Sequence, residues 1–137
     1  MARDRRARLV GRSTTRPFLN LPKDVLSSDA YLSLGGWEVK LLVDIASQFN
    51  GKNNGDLTAA WSVMRERGWK SPGTLNKALR VLLDVGLIQE TRSGGRHRCT
   101  LYAVTWREIH ECNGKLDLKP TTAPSNKFLE FEGSTTS

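Results

Sequence analysis

Apolar side chains recur along the chain at two spacings. In GWEVKLLVDIASQFNG (36–51), Val39, Leu42, Val43, Ala46 and Phe49 return every three to four residues. That period predicts a helix, and Leu41 and Ile45 widen its buried side. Asn50-Gly51 is a normal helix stop. TAAWSVMRERGW (58–69) predicts a shorter helix, with Thr58 as N-cap, Ala60, Trp61 and Met64 inward, and Gly68 as its left-handed end. Trp69 then turns back towards the core. KSPGTLNKALRVLLDVG (70–86) carries the clearest helical signal. Ser71 caps it, Pro72 takes the first helical position, and Gly86 closes it. Leu75, Ala78, Leu79, Leu82 and Leu83 form its buried stripe, opposite Gly73, Thr74, Asn76, Lys77, Arg80 and Asp84.

The spacing then shortens to two. LIQETR (87–92) and RCTLYAVTW (98–106) are rich in β-branched and aromatic residues and flank Gly94-Gly95, a β-hairpin signal. In the second strand Cys99, Leu101, Ala103 and Thr105 share one face, and Thr100, Tyr102, Val104 and Trp106 the other. KNNGDL leaves room for a strand stub at 56–58. FLNLPKDVLSSDAYLSL (18–34) opens the fold, with Ser28 able to cap a short turn. REIHEC (107–112) gives a brief helical turn, and residues 113–137 read as a flexible polar tail. Residues 1–17 lack periodic apolar positions and read as a disordered basic arm. The domain proper is therefore 18–112.

Composition narrows the class. The chain has 137 residues, 38% of them hydrophobic, which suits one domain with a compact core and polar ends. No apolar run approaches the roughly 18 residues of a membrane span. MARDRRARLVGRSTTRP has charge but no apolar stretch behind it, so it is not a secretory signal; it is Arg-rich like a transit peptide, but weakly amphipathic. Two cysteines, Cys99 and Cys112, are too few for a disulfide framework and read as reduced thiols of a cytoplasmic protein. His97-x-Cys99 and His110-x-Cys112 together offer two His and two Cys, but at spacings unlike the usual zinc patterns, so no metal or other cofactor is expected. No Gly-rich phosphate loop, nucleophile elbow or paired-carboxylate motif is present, and no enzymatic activity is expected.

Charge points to a partner. The net charge is +7, and it is gathered in two places. Residues 1–17 hold six Arg against one Asp, and residues 65–98 hold eight basic groups against three acidic ones. This pattern fits a polyanion better than general solubility. The turn TRSGGRHRC (91–99) is the sharpest case, because stability alone does not ask for Arg92, Arg96 and Arg98 in one tight turn. The competing reading of these three is edge-strand charge that blocks aggregation.

The order is helix, strand stub, short helix, tight turn, capped helix, hairpin. Residues 36–106, about half of the chain, resemble a winged helix-turn-helix domain of the bacterial type. The resemblance rests on NNGDLTAAWSVMRERGWKSPGTLNKALRVLLDVGLIQETRSGG, where Leu82-Leu83-Asp84-Val85-Gly86-Leu87-Ile88 matches the segment that opens the wing. More loosely, NGKNNGDL and LYAVTW look like small proteins of phages, plasmids and integrative elements, some related to replication initiators. The implied fold is α+β and mostly helical, a three-helix core with a two-stranded wing. The implied function is sequence-specific binding of double-stranded DNA, in transcriptional regulation or in replication and maintenance of a mobile element, at the nucleoid.

Physical chemistry supports this from the residues. The major groove is about 12 Å wide and admits one α-helix. At the start of the 71–85 helix, Thr74, Asn76 and Lys77 are candidates to read bases, since Asn pairs with adenine and Lys donates to guanine. Small groups at Ser71, Gly73 and Thr74 let the helix N-terminus approach a phosphate. Lys70 and Arg80 suit phosphates; Arg92, Arg96 and Arg98 suit phosphates or a narrow minor groove. Arg5, Arg6 and Arg8 suit an adjacent groove. Six to eight such contacts give a slope of log K on log salt of about −5 to −7. Two alternatives stand beside this. A winged helix can dock proteins, with Phe128, Leu129 and Phe131 of FLEFE as a partner peptide, and the Arg arm can bind RNA. Homodimerisation is compatible with either.

Overall fold

A computed structural model describes residues 16–133. The arm residues Arg5, Arg6 and Arg8 lie outside the described residues. Two short helices come first, α1 (Lys23–Leu26) and α2 (Asp29–Leu32). Ser28 joins them: its Oγ accepts from the Tyr31 N–H (3.1 Å) and donates to the Val25 carbonyl (2.6 Å). The turn buries Val25 and Ala30.

Helix α3 (Gly36–Ala46) starts where the Gly35 N–H donates to Glu38 Oε1 at 2.7 Å. It stops at Ala46, short of the Asn50-Gly51 stop that the sequence predicts. The cause is Gln48. Its amide donates to the carbonyls of Asp44 and Thr58 and accepts from the Thr58 N–H, so it caps the helix and ties it to the next segment. Leu41, Leu42, Ile45 and Ala46 are buried.

Helix α4 (Trp61–Met64) continues as a 3₁₀ turn, Arg65–Arg67, and ends at Gly68 with φ 92°. Thr58 is not its N-cap; Ala60 is. Residues 57–58 are committed elsewhere, because Leu57 exchanges two backbone hydrogen bonds with Tyr102 (3.1 and 2.8 Å) and Thr58 is held by Gln48. The predicted strand stub is thus a bridge on the sheet edge, and the helix starts two residues late.

Helix α5 (Pro72–Asp84) is capped as its sequence predicts, with Ser71 Oγ accepting from the Thr74 N–H at 3.2 Å and Pro72 in the first position. Leu75, Ala78 and Leu82 are buried, and the helix packs on α3. The chain leaves α5 through Gly86 (φ 83°), where a Cβ would come within 2.9 Å of the Lys127 carbonyl oxygen. Only glycine satisfies both conditions.

Strands β1 (Ile88–Arg92) and β2 (Leu101–Val104) pair antiparallel, Ile88 opposite Val104 and Glu90 opposite Tyr102. The register shifts between Glu90 and Arg92, so Thr91 is a bulge. All four β2 residues are buried, although the alternation predicts distinct faces. Tyr102 and Val104 join the core, and Leu101 and Ala103 on the other face are buried too. Residues 113–133 differ from expectation as well. Read as a flexible polar tail, they instead return along the body: Asp117 N–H donates to the Thr91 carbonyl, Thr121 N–H to Ile109 and Asn126 N–H to Thr105. Phe128 then enters the core with no exposed surface. Backbone hydrogen bonds and one aromatic anchor hold a segment whose composition is polar.

Among the described residues the chain is a small α+β protein with five α-helices and a two-stranded antiparallel sheet. No described helix is long and apolar enough to cross a membrane.

Candidate nucleic-acid interface

The turn before α5 is set by a carboxylate on an otherwise apolar stretch of α3. Asp44 is 6% exposed and accepts from Trp69 Nε1 (2.9 Å), Lys40 Nζ (3.0 Å) and Arg67 Nε and Nη2 (3.2 and 3.1 Å). Lys40 also donates to the Arg67 carbonyl at 2.8 Å. Burial acts to raise the Asp44 pKa, but the bonds from Trp69, Lys40 and Arg67 outweigh it and hold the carboxyl below its ordinary value. The node fixes both sides of Gly68 and so fixes the angle at which Trp69-Lys70-Ser71 feeds α5. Trp69 is buried and packs 5.3 Å from half-exposed Trp37; Trp61 and Trp106 are partly buried.

On α5, Asn76, Lys77 and Arg80 are exposed. At about 100° per residue they span roughly 100° of helix surface, away from Leu75, Ala78 and Leu82. Ser71 and Thr74 have a different employment. Ser71 Oγ is the cap, and Thr74 is half-buried with its N–H in that cap. Pro72 has no N–H, and Leu75 N–H bonds the Ser71 carbonyl. The Gly73 N–H is what the first turn leaves to offer, so the helix N-terminus is a poorer anion site than the sequence predicts.

The hairpin differs in its bend. Gly95 and Arg98 exchange both backbone hydrogen bonds (3.0 and 3.1 Å), so Arg96 and His97 form the tip, His97 with φ 64°. The adjacent glycines do not make the turn. Gly94 is needed for a close approach instead: its N–H donates to Thr100 Oγ1 (3.0 Å), and a Cβ there would lie 2.7 Å from the Thr100 nitrogen.

The three arginines also separate. Arg92 donates through Nε and Nη2 to the Cys99 carbonyl (3.3 and 2.8 Å), clipping the two sides of the hairpin together. Arg98 donates to the Ser93 carbonyl and pairs with Asp117. Arg96 is exposed at the tip. Among the described residues Lys70, Lys77, Arg80 and Arg96 have no acidic partner within ion-pair distance.

A groove joins these elements. Thr58–Trp61, Asn76 and Leu79 line one side, and Cys99, Thr100 and Tyr102 the other. Asn76 therefore faces the hairpin, with Arg80 and then Lys77 beside it on α5. Burial, and then the Glu90 carboxylate, push the Tyr102 phenol up, so it is protonated at neutral pH.

Behind the hairpin a second polar node closes the body. Asn54 is fully buried. Its Nδ2 donates to the carbonyls of Val104, Arg107 and Glu108, its Oδ1 accepts from the Val104 N–H, and its own N–H donates to His110 Nδ1. Cys112 lies 3.6 Å from the Asn54 carbonyl oxygen, its thiol pushed up by burial and by Asp56. His110 and Cys112 thus serve the Asn54 node, while His97 and Cys99 lie on the hairpin. Among the described residues no group of three His, Cys, Asp or Glu is placed to hold a metal.

The FLEFE peptide is not available as an exposed motif. Phe128 is fully buried and Phe131 packs against the core; of the three apolar side chains Leu129 alone is exposed, at 58%. Asp44, Asn54 and Asp117 were not among the residues that the sequence singles out. Only Asp44 carries a signal, as an acid between Val43 and Ile45 and four residues after Lys40.

The chain matches no family model, no curated protein and no solved structure.

Proposed function

We propose that this is a winged-helix protein that binds double-stranded DNA with sequence preference. In this reading α5 enters the major groove and the 92–98 hairpin is the wing. The setting is a transcriptional regulator or a replication or maintenance factor of a mobile element, acting in the cytoplasm at the nucleoid.

One observation supports this most. Four exposed cations without acidic partners among the described residues, Lys70, Lys77, Arg80 and Arg96, sit on the turn, the helix and the hairpin tip, and Asn76 of the same helix lines a groove against the hairpin. Asn76, Lys77 and Thr74 are assigned to bases, Thr74 through its side chain only. Lys70, Arg80, Arg92 and Arg96 are assigned to phosphates. Ser71 acts through the cap. Arg5, Arg6 and Arg8 extend the contact in this reading.

The test is fluorescence anisotropy on duplex DNA across a salt series. Four phosphate contacts from the described residues give a slope of log K on log salt of about −3 to −4. Arg80→Ala and Arg96→Ala each make it shallower by about 0.9 for every sequence. Asn76→Ala instead changes preference between sequences, by about 1–3 kcal/mol where it contacts a base. Salt-insensitive binding, or losses at all three positions that ignore sequence, overturn the assignment.

A further inference from the structure

The hairpin already holds one anion, and the chain itself supplies it. Asp117 lies on the returning segment. Its Oδ2 accepts from the Ser93 backbone N–H at 3.0 Å, and its Oδ1 accepts from Arg98 Nη2 at 3.3 Å. A backbone N–H beside a guanidinium is the donor pair that proteins commonly turn to a phosphodiester oxygen. The carboxylate is brought there by its own backbone, since the Asp117 N–H donates to the Thr91 carbonyl at 2.9 Å. That carbonyl is free to accept because Thr91 is a bulge and drops out of the ladder. The pair is open to water, the two side chains 47% and 52% exposed, so the carboxylate can leave by rotating while its backbone stays anchored. Arg98 keeps a second bond, Nε to the Ser93 carbonyl at 3.2 Å, and remains in place when the carboxylate goes.

Building on the duplex reading, we infer that Ser93 N–H and Arg98 form a phosphate subsite on the hairpin, filled in the free protein by the Asp117 carboxylate and in the complex by a DNA phosphate. Asp117 is then a resident competitor. It neutralises a hairpin cation until a polyanion displaces it, and it lowers affinity for every duplex alike.

The experiment compares the full chain with Asp117→Asn on a short mixed-sequence duplex carrying a fluorophore, across a salt series. Asparagine keeps the backbone anchor and removes the charge. The inference expects Asp117→Asn to bind several-fold tighter at low salt, with the slope little changed, because both complexes neutralise the same phosphate. It also expects non-additivity with Arg98. Arg98→Ala costs little beside Asp117 and cancels the gain in the Asp117→Asn chain. Asp117→Ser, with circular dichroism of each protein, covers the case in which asparagine disturbs the fold. Wild-type binding that both Asp117 variants weaken or leave unchanged overturns the inference alone and makes Asp117 a brace. Absence of duplex binding by every variant overturns the duplex reading itself, and this inference with it.

Discussion

Asp44→Ala is expected to destabilise the chain by about 2–5 kcal/mol, built from the donors it abandons. The bond from Trp69 Nε1 is buried, and an indole N–H left there without an acceptor costs about 1–3 kcal/mol. Lys40 and Arg67 are 35% and 47% exposed, so water takes over much of what they lose, about 0.5–1 kcal/mol each. Asp44→Asn keeps an acceptor for Trp69 and loses only the ionic part, about 1–2 kcal/mol. The folded carboxyl titrates below its ordinary value, so its contribution is complete above the unfolded pKa of about 3.9 and is lost as pH falls through the lower folded pKa. The wild type therefore loses this stability only in acid, and Asp44→Asn lacks that part of the fall. Urea unfolding followed by tryptophan fluorescence, at neutral pH and through an acid series, reads both effects; the slope against urea stays constant if the fold is unchanged. A cost below about 0.5 kcal/mol for Asp44→Ala, within the range of ordinary surface substitutions, refutes the reasoning. So does an Asp44→Asn chain that retains the full acid dependence.

Two further predictions concern parts of the chain that composition misreads. Phe128→Ala should cost about 3–5 kcal/mol in the same urea assay, as a core aromatic does; a cost near zero would return residues 113–133 to the status of a tail. At the hairpin, Gly94→Ala should cost about 1–3 kcal/mol, because its Cβ meets the Thr100 backbone. His97→Gly should be neutral or stabilising by about 0.5 kcal/mol, because it relieves a positive φ at the tip against the entropy glycine adds to the unfolded chain. Equal effects at the two positions would contradict the turn assignment.

What the sequence disclosed was local. Ser71 and Pro72, the left-handed Gly68 and Gly86, and the Leu75-Ala78-Leu82 stripe are signals contained within a few residues, and each is found where its chemistry puts it. The misplaced boundaries all involve a distant partner. Gln48 ends α3 by reaching Thr58, and Tyr102 claims Leu57 and delays α4. Asn54 looked like a turn residue because a buried asparagine and a turn asparagine are the same letter; its partners lie some fifty positions away. The same holds for Phe128, one aromatic in a polar stretch, and for β2, whose Tyr102 and Val104 join the core while Leu101 and Ala103 on the other face are buried as well.

Pairing sorts the basic side chains in a way that neither count nor spacing can. Edge-strand protection, the competing account of the hairpin charge, requires only that charge be present and exposed. It does not distinguish Arg92 and Arg98, which brace the hairpin through Cys99, Ser93 and Asp117, from Arg96, which has no such partner among the described residues. The same division runs through the rest of the basic stretch. Arg67 is spent on Asp44 and Arg65 stands beside Glu66, whereas Lys70, Lys77 and Arg80 have no such neighbour among the described residues. The first group has partners within the chain, and the second has no acidic partner among the described residues. That second group lies on the turn before α5, the open face of α5 and the hairpin tip, the two elements whose groove Asn76 lines. Mutual repulsion among cations held near one another is relieved when a polyanion replaces their counterions. A duplex supplies that relief along its length, whereas an isolated acidic side chain, as at Arg98, supplies it at one point.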